Sequence, residues 1–398
     1  MMTSKNLQDF LPVLRKKTFA EFFAGIGLVR AGLERQGWTI EFANDISQQK
    51  YEMYKGQYEN ADEHFLLEDI HAIPVEVIPS VTLATASFPC NDLSLAGGRN
   101  GLQGEHSSAF WGFISILKQM HDHKPPLVIL ENVTGFLTSN NGEDFRQGLL
   151  ALNNLGYTVD TFILDAANFV PQSRQRLFVI GILETLHTYD PESSFAVRIS
   201  DTRPKALAMF ILEHPDIRWH IRPLPSQPTS NVRLNSILED LAENASEWWL
   251  QDRATYLLSQ MSSHHRQIAE QMIVGNEWSY GTVFRRMRKG KSTAELRVDG
   301  IAGCLRTPRG GSAKQILFKA GKGQYFARLI TPREASRLMG AGFYTITVPF
   351  DQALFGFGDA VCVPVIEWIA SNYLNPTIEE IVQRKFNDHG TRRLVASI

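Results

Sequence analysis

The sequence predicts an α/β fold: a doubly wound, mostly parallel sheet flanked by helices, joined to a second, smaller domain. Three observations carry that prediction. Short apolar runs alternate with amphipathic stretches through the first 182 residues, the pattern of strands buried on both faces between crossover helices. The first run passes through a glycine turn straight into a helical pattern. Near residue 183 the alternation stops, and a proline-marked, basic region takes over. At 398 residues and 43% hydrophobic content the chain is long enough for two domains.

The first strand is expected over residues 18–23, ending in Ala24-Gly25-Ile26-Gly27, with Leu28, Ala31 and Leu33 at helical spacing behind it. Glycines at this turn let the backbone fold tightly and a ligand approach closely. The turn is shorter than GxGxxG and has no lysine, which argues against a P-loop. A second strand over 38–43 ends at Asn44-Asp45, 18 residues after Gly27. An acid at that tip suits both hydrogen bonding to ribose hydroxyls and capping of a helix over 47–55. Glu68-Asp69-Ile70 then precede a loop marked by Pro74 and Pro79.

The run 81–86 reads as a buried strand closed by Pro89, which places Cys90 just past a strand end. Open α/β sheets bind their ligands there, so Cys90 is a candidate nucleophile; taken alone it better fits a small buried hydrophobe, and its neighbours on either side favour the nucleophile. Residues 96–104 hold four glycines, and a glycine-rich loop behind a nucleophile reads as a lid. A helix over 107–120 and an apolar strand over 127–130 follow, and Glu131 stands at that strand's tip as a candidate proton donor. A helix over 143–155 and strands over 158–164 and 177–182 complete the sheet. Arg174 and Arg176, at i and i+2 before the last strand, are expected on one face of it as a fork for a phosphate or carbonyl oxygen.

Residues 183–330 are expected as the second domain, with proline loops at Pro223, Pro225 and Pro228, helices over 234–241 and 264–272, and a basic stretch over 284–291. Between residues 260 and 337 there are 15 Lys and Arg against 5 Asp and Glu, whereas the remainder holds 25 against 37. One basic region on an acidic body points to a nucleic-acid face. His264-His265 have no partners at zinc spacing, so no metal is expected. Helices are expected over 332–339 and 360–371. Three widely spaced cysteines make a disulfide framework unlike this chain and a reducing compartment its expected home. Residues 1–17 lack a signal-type apolar core, so the expectation is cytoplasmic and off the membrane.

Taken together these residues resemble the DNA (cytosine-5) methyltransferase family, of the bacterial modification type with a Rossmann-like catalytic domain. Its motifs are matched in order by Phe23-Ala24-Gly25-Ile26-Gly27, Asn44-Asp45, Asp69-Ile70, Phe88-Pro89-Cys90, Glu131-Asn132-Val133, Gln172-Ser173-Arg174-Gln175-Arg176, Arg328 through Glu334, and Gly358-Asp359-Ala360-Val361. The resemblance covers about residues 17–182 and 300–371. It implies S-adenosylmethionine as cofactor, held by Phe23, Gly25, Ile26, Gly27, Asp45, Ile46, Asp69, Ile70, Pro89, Asp359, Ala360 and Val361. It implies that Cys90 attacks C6 of a flipped-out cytosine, Glu131 acts at N3, and Arg176 holds O2 with Arg174 nearby.

Duplex DNA is the implied substrate. Ser94, Gly97, Gly98 and Arg99 of the glycine-rich loop would meet it, with Arg285, Arg286, Arg288, Lys289, Arg306, Thr307, Arg309 and Ser312 of the recognition domain. The resemblance divides the chain into a catalytic domain (1–182), a recognition domain (183–330) and a returning C-terminal part (331–398). It further implies a monomer on DNA, in a restriction-modification or other phage-defence system with a possible cognate endonuclease, and a place in the nucleoid. Two alternatives differ. The tRNA-directed branch carries a Cys-Phe-Thr motif that is absent here, and a catalytically silent DNA-binding homologue would have no need of Cys90, Glu131 and both arginines. The sequence departs from the family pattern at Glu21, where Asp is usual, at Leu28, Thr82 and Asn91, and at Asp359, where Asn is usual.

Overall fold

The computed structural model describes residues 7–89, 108–187, 190–288, 290–307 and 314–383. Cys90, Ser94, Gly97, Gly98, Arg99, Lys289, Arg309 and Ser312 lie outside the described residues.

After α1 (Leu7–Lys16) the chain runs through β1 (Thr18–Phe22), α2 (Leu28–Glu34), β2 (Thr39–Asp45), α3 (Gln48–Gln57), α4 (Ala61–His64), β3 (Phe65–Leu67) and β4 (Leu83–Ala86). It continues with α5 (Ser108–Gln119), β5 (Leu127–Val133), α6 (Glu143–Asn154), β6 (Tyr157–Asp165) and β7 (Gln175–Leu183). The seven strands lie in the order β3-β2-β1-β4-β5-β7-β6. The neighbours from β3 to β5 pair in parallel, because helical or long crossovers join them. The short link between β6 and β7 makes those two a hairpin, so β7 is antiparallel to both of its neighbours. Chain order reverses between β1 and β4, and the crevice at their carboxyl ends is the switch point where open α/β sheets bind ligands. The glycine turn after β1 and the segment leading to Cys90 after β4 both enter it.

The core of the large sheet continues past residue 183. Leu186, Val197, Phe210, Trp219, Leu234 and Ile237 all belong to the core of the large sheet. The reason lies at β6, an edge strand whose outer backbone groups need partners. Residues 200–222 supply them: Ile163 N–H donates to Thr202 O at 2.8 Å, Val159 N–H to Arg218 O at 2.9 Å, and His220 N–H to Val159 O at 2.8 Å. A buried ion pair, Arg203 to Asp160 at 2.8 Å, fixes this cover, and α7 (Lys205–Glu213) packs outside it through Phe210 against Phe145. The expected helix over 234–241 is only the short turn Leu234–Ile237.

The smaller domain therefore begins near α8 (Gln251–Ser259) and α9 (Ser263–Val274). Its sheet consists of β8 (Ser279–Arg288), β9 (Lys291–Arg297), β10 (Ile316–Gly321) and β11 (Gln324–Leu329) in the antiparallel order β11-β10-β8-β9. Leu257, Val283, Leu296, Ile316 and Phe318 form its own core.

The chain then returns. α10 (Pro332–Leu338) starts with a capping box between Thr331 and Glu334. α11 (Phe350–Asp359), which periodicity did not reveal, and α12 (Val363–Ile369) follow. α12 seats on α2 so closely that a Cβ on Gly32 would stand 2.7 Å from Ile366 Cβ. The stretch Phe350–Gln383 is long and apolar enough to cross a membrane, yet 67% of its apolar window is buried inside this protein, as in a core helix.

Candidate active site

Antiparallel register builds the first half of the site. Val133 faces Arg176 and Glu131 faces Phe178, so Glu131 and Arg176 are diagonal neighbours on one face of the sheet. Arg176 Nε lies 2.9 Å from Glu131 Oε1, with both side chains largely buried. Beside them Asn132 Nδ2 donates to Phe88 O at 3.1 Å. Phe88 itself is wedged against Phe110 and Phe136. The β5 tip is thus tied to the last described residues before Cys90.

Arg174 does not join Arg176 as a fork. It precedes β7, and its guanidinium turns towards the returning chain: Nη1 donates to Leu305 O at 2.9 Å, and Nη2 to Ala360 O at 2.8 Å and Gly358 O at 3.2 Å. A planar donor fork is well suited to binding several carbonyls at once. Gln172 makes a parallel link, donating to Leu338 O at 2.8 Å and accepting from Leu305 N–H at 2.9 Å. Cys304 Sγ lies 3.3 Å from Arg174 Nη1. Burial pushes the Cys304 thiol up, but Arg174, Arg176 and Arg306 outweigh it and hold the thiol below its ordinary value.

The second half surrounds the turn after β1. Phe23, Gly25 and Gly27 adopt positive φ of 57°, 59° and 77°, a region that costs a non-glycine residue such as Phe23 free energy. Tyrosines brace this turn, with Tyr58 Oη donating to Gly27 O at 2.6 Å and Tyr344 Oη to Ile26 O at 2.9 Å. Asp45 accepts from Gly25 N–H and from Ser47 N–H, both at 2.9 Å, so its carboxylate lies against the turn and at the start of α3. Of the other expected residues, Ile70, Ile26 and Val361 are buried and Ile46 is 68% exposed at the rim. Asp69 accepts from His71 N–H at 2.8 Å, and Pro89 is exposed.

Of the departures from the family pattern, Asn91 lies outside the described residues, and Thr82, Asp359 and Glu21 have distinct local settings. Thr82 ties β4 to α1 by donating to Val13 O at 2.6 Å. Asp359 at the end of α11 pairs with Lys50 of α3 at 2.7 Å. Glu21 is 2% exposed inside β1, and its Oε2 has no partner among the described residues. Burial pushes its carboxyl up to about 8, against the opposing pull of Arg30.

The basic stretch of the smaller domain is a strand, so its arginines do not form one cluster. Arg285 and Arg286 are consecutive in β8 and fall on opposite faces. Arg286 is exposed, 3.6 Å from Glu295 and over the Phe284 ring, while Arg285 is half-buried. Arg288 ends the strand. Arg306 is exposed and Thr307 half-buried, and their backbone lies against Gly358. The sequence reading overlooked Lys50, Gln172 and the bracing tyrosines. Only Gln172 lay within a recognised motif; nothing local distinguishes the others from ordinary helix or core residues.

This arrangement agrees with what the chain resembles as a whole. Residues 17–375 match the family described as C-5 cytosine-specific DNA methylase. The chain is 35% identical over 167 residues to Type II methyltransferase M.BsuFI of Bacillus subtilis, a match covering 42% of this chain and 39% of that protein. Against Type II methyltransferase M.DsaV of Dactylococcopsis salina it is 26% identical over 363 residues, 90% of this chain and 86% of that one. With several relatives the match thus spans about half of their length or less. The fold is also that of the S. pombe Dnmt2 methyltransferase, with a TM-score of 0.58 at 18% identity over 90% of this chain and 98% of that one. The chain belongs to the C-5 cytosine-specific DNA methylase family.

Proposed function

We propose that this protein transfers a methyl group from S-adenosylmethionine to C5 of a cytosine flipped out of duplex DNA. The observation that carries the reading is the Glu131–Arg176 pair at the β5 tip, joined through Asn132 to the segment that runs into Cys90. The chemistry needs a soft nucleophile at C6, and a thiolate is the best side chain for it. Cys90 adds to C6, and the displaced electron pair spreads over C5, N3 and O2. Glu131 relieves that charge by a hydrogen bond or proton at N3, and Arg176 meets O2 while holding the Glu131 carboxylate in place. Once C5 has used that electron pair to bond the methyl group, its proton passes to solvent and the C5–H electrons re-form the C5–C6 double bond as the Cys90 thiolate leaves.

The residues at the switch point fit the cofactor: a glycine turn at Gly25 and Gly27, Asp45 at the adjacent strand tip, and Ile70 and Val361 as apolar walls. S-adenosylmethionine, when bound there, supplies the methyl electrophile. Arg174 and Gln172 act as positioning residues that hold the 304–307 and 358–360 turns at the border of the two halves. The smaller domain, with its excess of Lys and Arg, takes the recognition role, and Arg286 and Arg306 are its exposed phosphate candidates. Unstacking the target base costs a few kcal/mol, which contacts in the cleft between the domains offset. We place the protein in the cytoplasm, on nucleoid DNA, as the modification half of a restriction or other defence system. Tritiated methyl transfer into duplex DNA rather than into total tRNA is the expected result. Label in tRNA alone would overturn the DNA reading.

A further inference from the structure

We infer that Lys50 and Asp359 together bind the amino-acid end of S-adenosylmethionine, Lys50 taking its carboxylate and Asp359 its ammonium group. This rests on the methyltransferase reading, in which Asp359 already belongs to the cofactor site, and adds Lys50 and the division of charge between the two. The ammonium of Lys50 stands 2.7 Å from Asp359 Oδ2, with the two side chains 18% and 44% exposed. The pair borders the cofactor turn: the nearest atom to a Cβ placed on Gly25 would be Lys50 Cδ, at 3.9 Å. One positive and one negative group beside an open glycine are complementary to a small zwitterion.

The pair is not what holds its elements together. α3 and α11 are already joined by Gln352 Nε2, which donates to Gln49 O at 2.9 Å and to Glu52 Oε2 at 3.0 Å. Gly356 packs so tightly on Met53 that a Cβ there would stand 2.5 Å from its sulfur. The turn carrying Asp359 is fixed from its other side by Arg174, which binds the carbonyls of Gly358 and Ala360. Asp45 is committed to Gly25 N–H and Ser47 N–H, which leaves Asp359 as the acid with a cationic partner at this border.

In the free protein Lys50 and Asp359 neutralise each other. On binding, each exchanges that partner for the opposite charge of the ligand, so neither is left as an uncompensated charge in a partly buried site. The arrangement also accounts for the acid at 359: Asn would give Lys50 no counter-charge.

Calorimetric binding of S-adenosylmethionine and of its decarboxylated analogue, which keeps the ammonium but lacks the carboxylate, separates the roles. Lys50→Met is expected to weaken S-adenosylmethionine roughly tenfold, the scale of one charge-assisted contact, and not to weaken the analogue, whose ammonium then meets an Asp359 freed of its competing cation. Asp359→Ala is expected to weaken both ligands. Unfolding midpoints, with Lys50→Gln as a second variant, confirm that each protein is folded. Equal weakening of both ligands by Lys50→Met, or no weakening of either, would overturn the assignment while leaving the methyltransferase reading intact. A folded wild-type protein that binds neither ligand would overturn both.

Discussion

Glu21 and Glu131 stand on strands of one sheet, both buried, at 2% and 8% exposure, yet different groups face them. Glu131 meets a guanidinium at 2.9 Å on the neighbouring strand. Glu21 has Arg30 near it, but only the backbone N–H of Arg30 bonds it; the guanidinium donors go to Glu34 at 2.8 Å, Tyr54 at 3.1 Å and Asn60 at 3.0 Å. Burial therefore dominates and keeps a proton on Glu21. Cross-strand register delivers a guanidinium to one buried acid and none to the other, and burial without such a partner favours the protonated form.

The sharpest way to break this contrast is to remove the paired acid. Glu131→Gln is expected to lower the rate of methyl transfer about 10²- to 10⁴-fold, the usual contribution of a positioned proton donor, with little change in S-adenosylmethionine affinity by calorimetry. A rate within threefold of wild type would make the pair structural only.

Arg174 sharpens the comparison from the side of its neighbour, Arg176. Because Arg174 binds carbonyls rather than substrate, Arg174→Ala is expected to destabilise the protein by about 3 kcal/mol in urea unfolding, and Arg174→Lys to restore little of it. Normal stability with lost activity would instead put Arg174 on the substrate.

The unpaired acid gives a pH-dependent effect. The folded value of Glu21, about 8, lies above the ordinary carboxylate value, so the native state keeps a proton that the unfolded chain has released. Its contribution to stability falls as pH rises from about 5 to 8, by on the order of 2 kcal/mol over the lower part of that window. Glu21→Gln should remove this slope and leave the variant the more stable protein near neutral pH. His64 works the other way: burial and Arg30 push its imidazole down to about 4, so its proton is lost on folding and its contribution weakens as pH falls. Comparing variant with wild type at each pH isolates Glu21.

The smallest expected effect lies in the other domain. Arg286→Ala should reduce the salt slope of DNA binding by about one, while Arg285→Ala, on the opposite face of β8, should leave it unchanged. Equal slopes for both variants would mean that the hairpin does not meet phosphate.

The strand tips were legible from sequence because their information is local: an apolar run, then Asp45, Glu131 or the stretch entering Cys90, at the end where α/β sheets bind ligands. What joins the tips was not legible. The same-face reading of Arg174 and Arg176 treated both as strand residues, but β7 begins at Gln175. That the core of the large sheet continues past residue 183 was not legible, because the backbone that pairs with β6 on either side of α7 is irregular and carries no periodicity. The basic cluster looked like one patch until alternation along β8 divided it. Lys50 and Asp359 are separated by the whole recognition domain, and only the fold brings them to one border.

The central claim is the chemistry at the β4 and β5 tips. It is tested most directly by incubating purified protein with S-adenosylmethionine and an unmethylated plasmid, then reading the product by bisulfite sequencing beside Cys90→Ala. The prediction is 5-methylcytosine at one short sequence with wild type and none with the variant. Equal methylation by both proteins, or none by a folded wild-type protein that binds the cofactor and DNA, would contradict it.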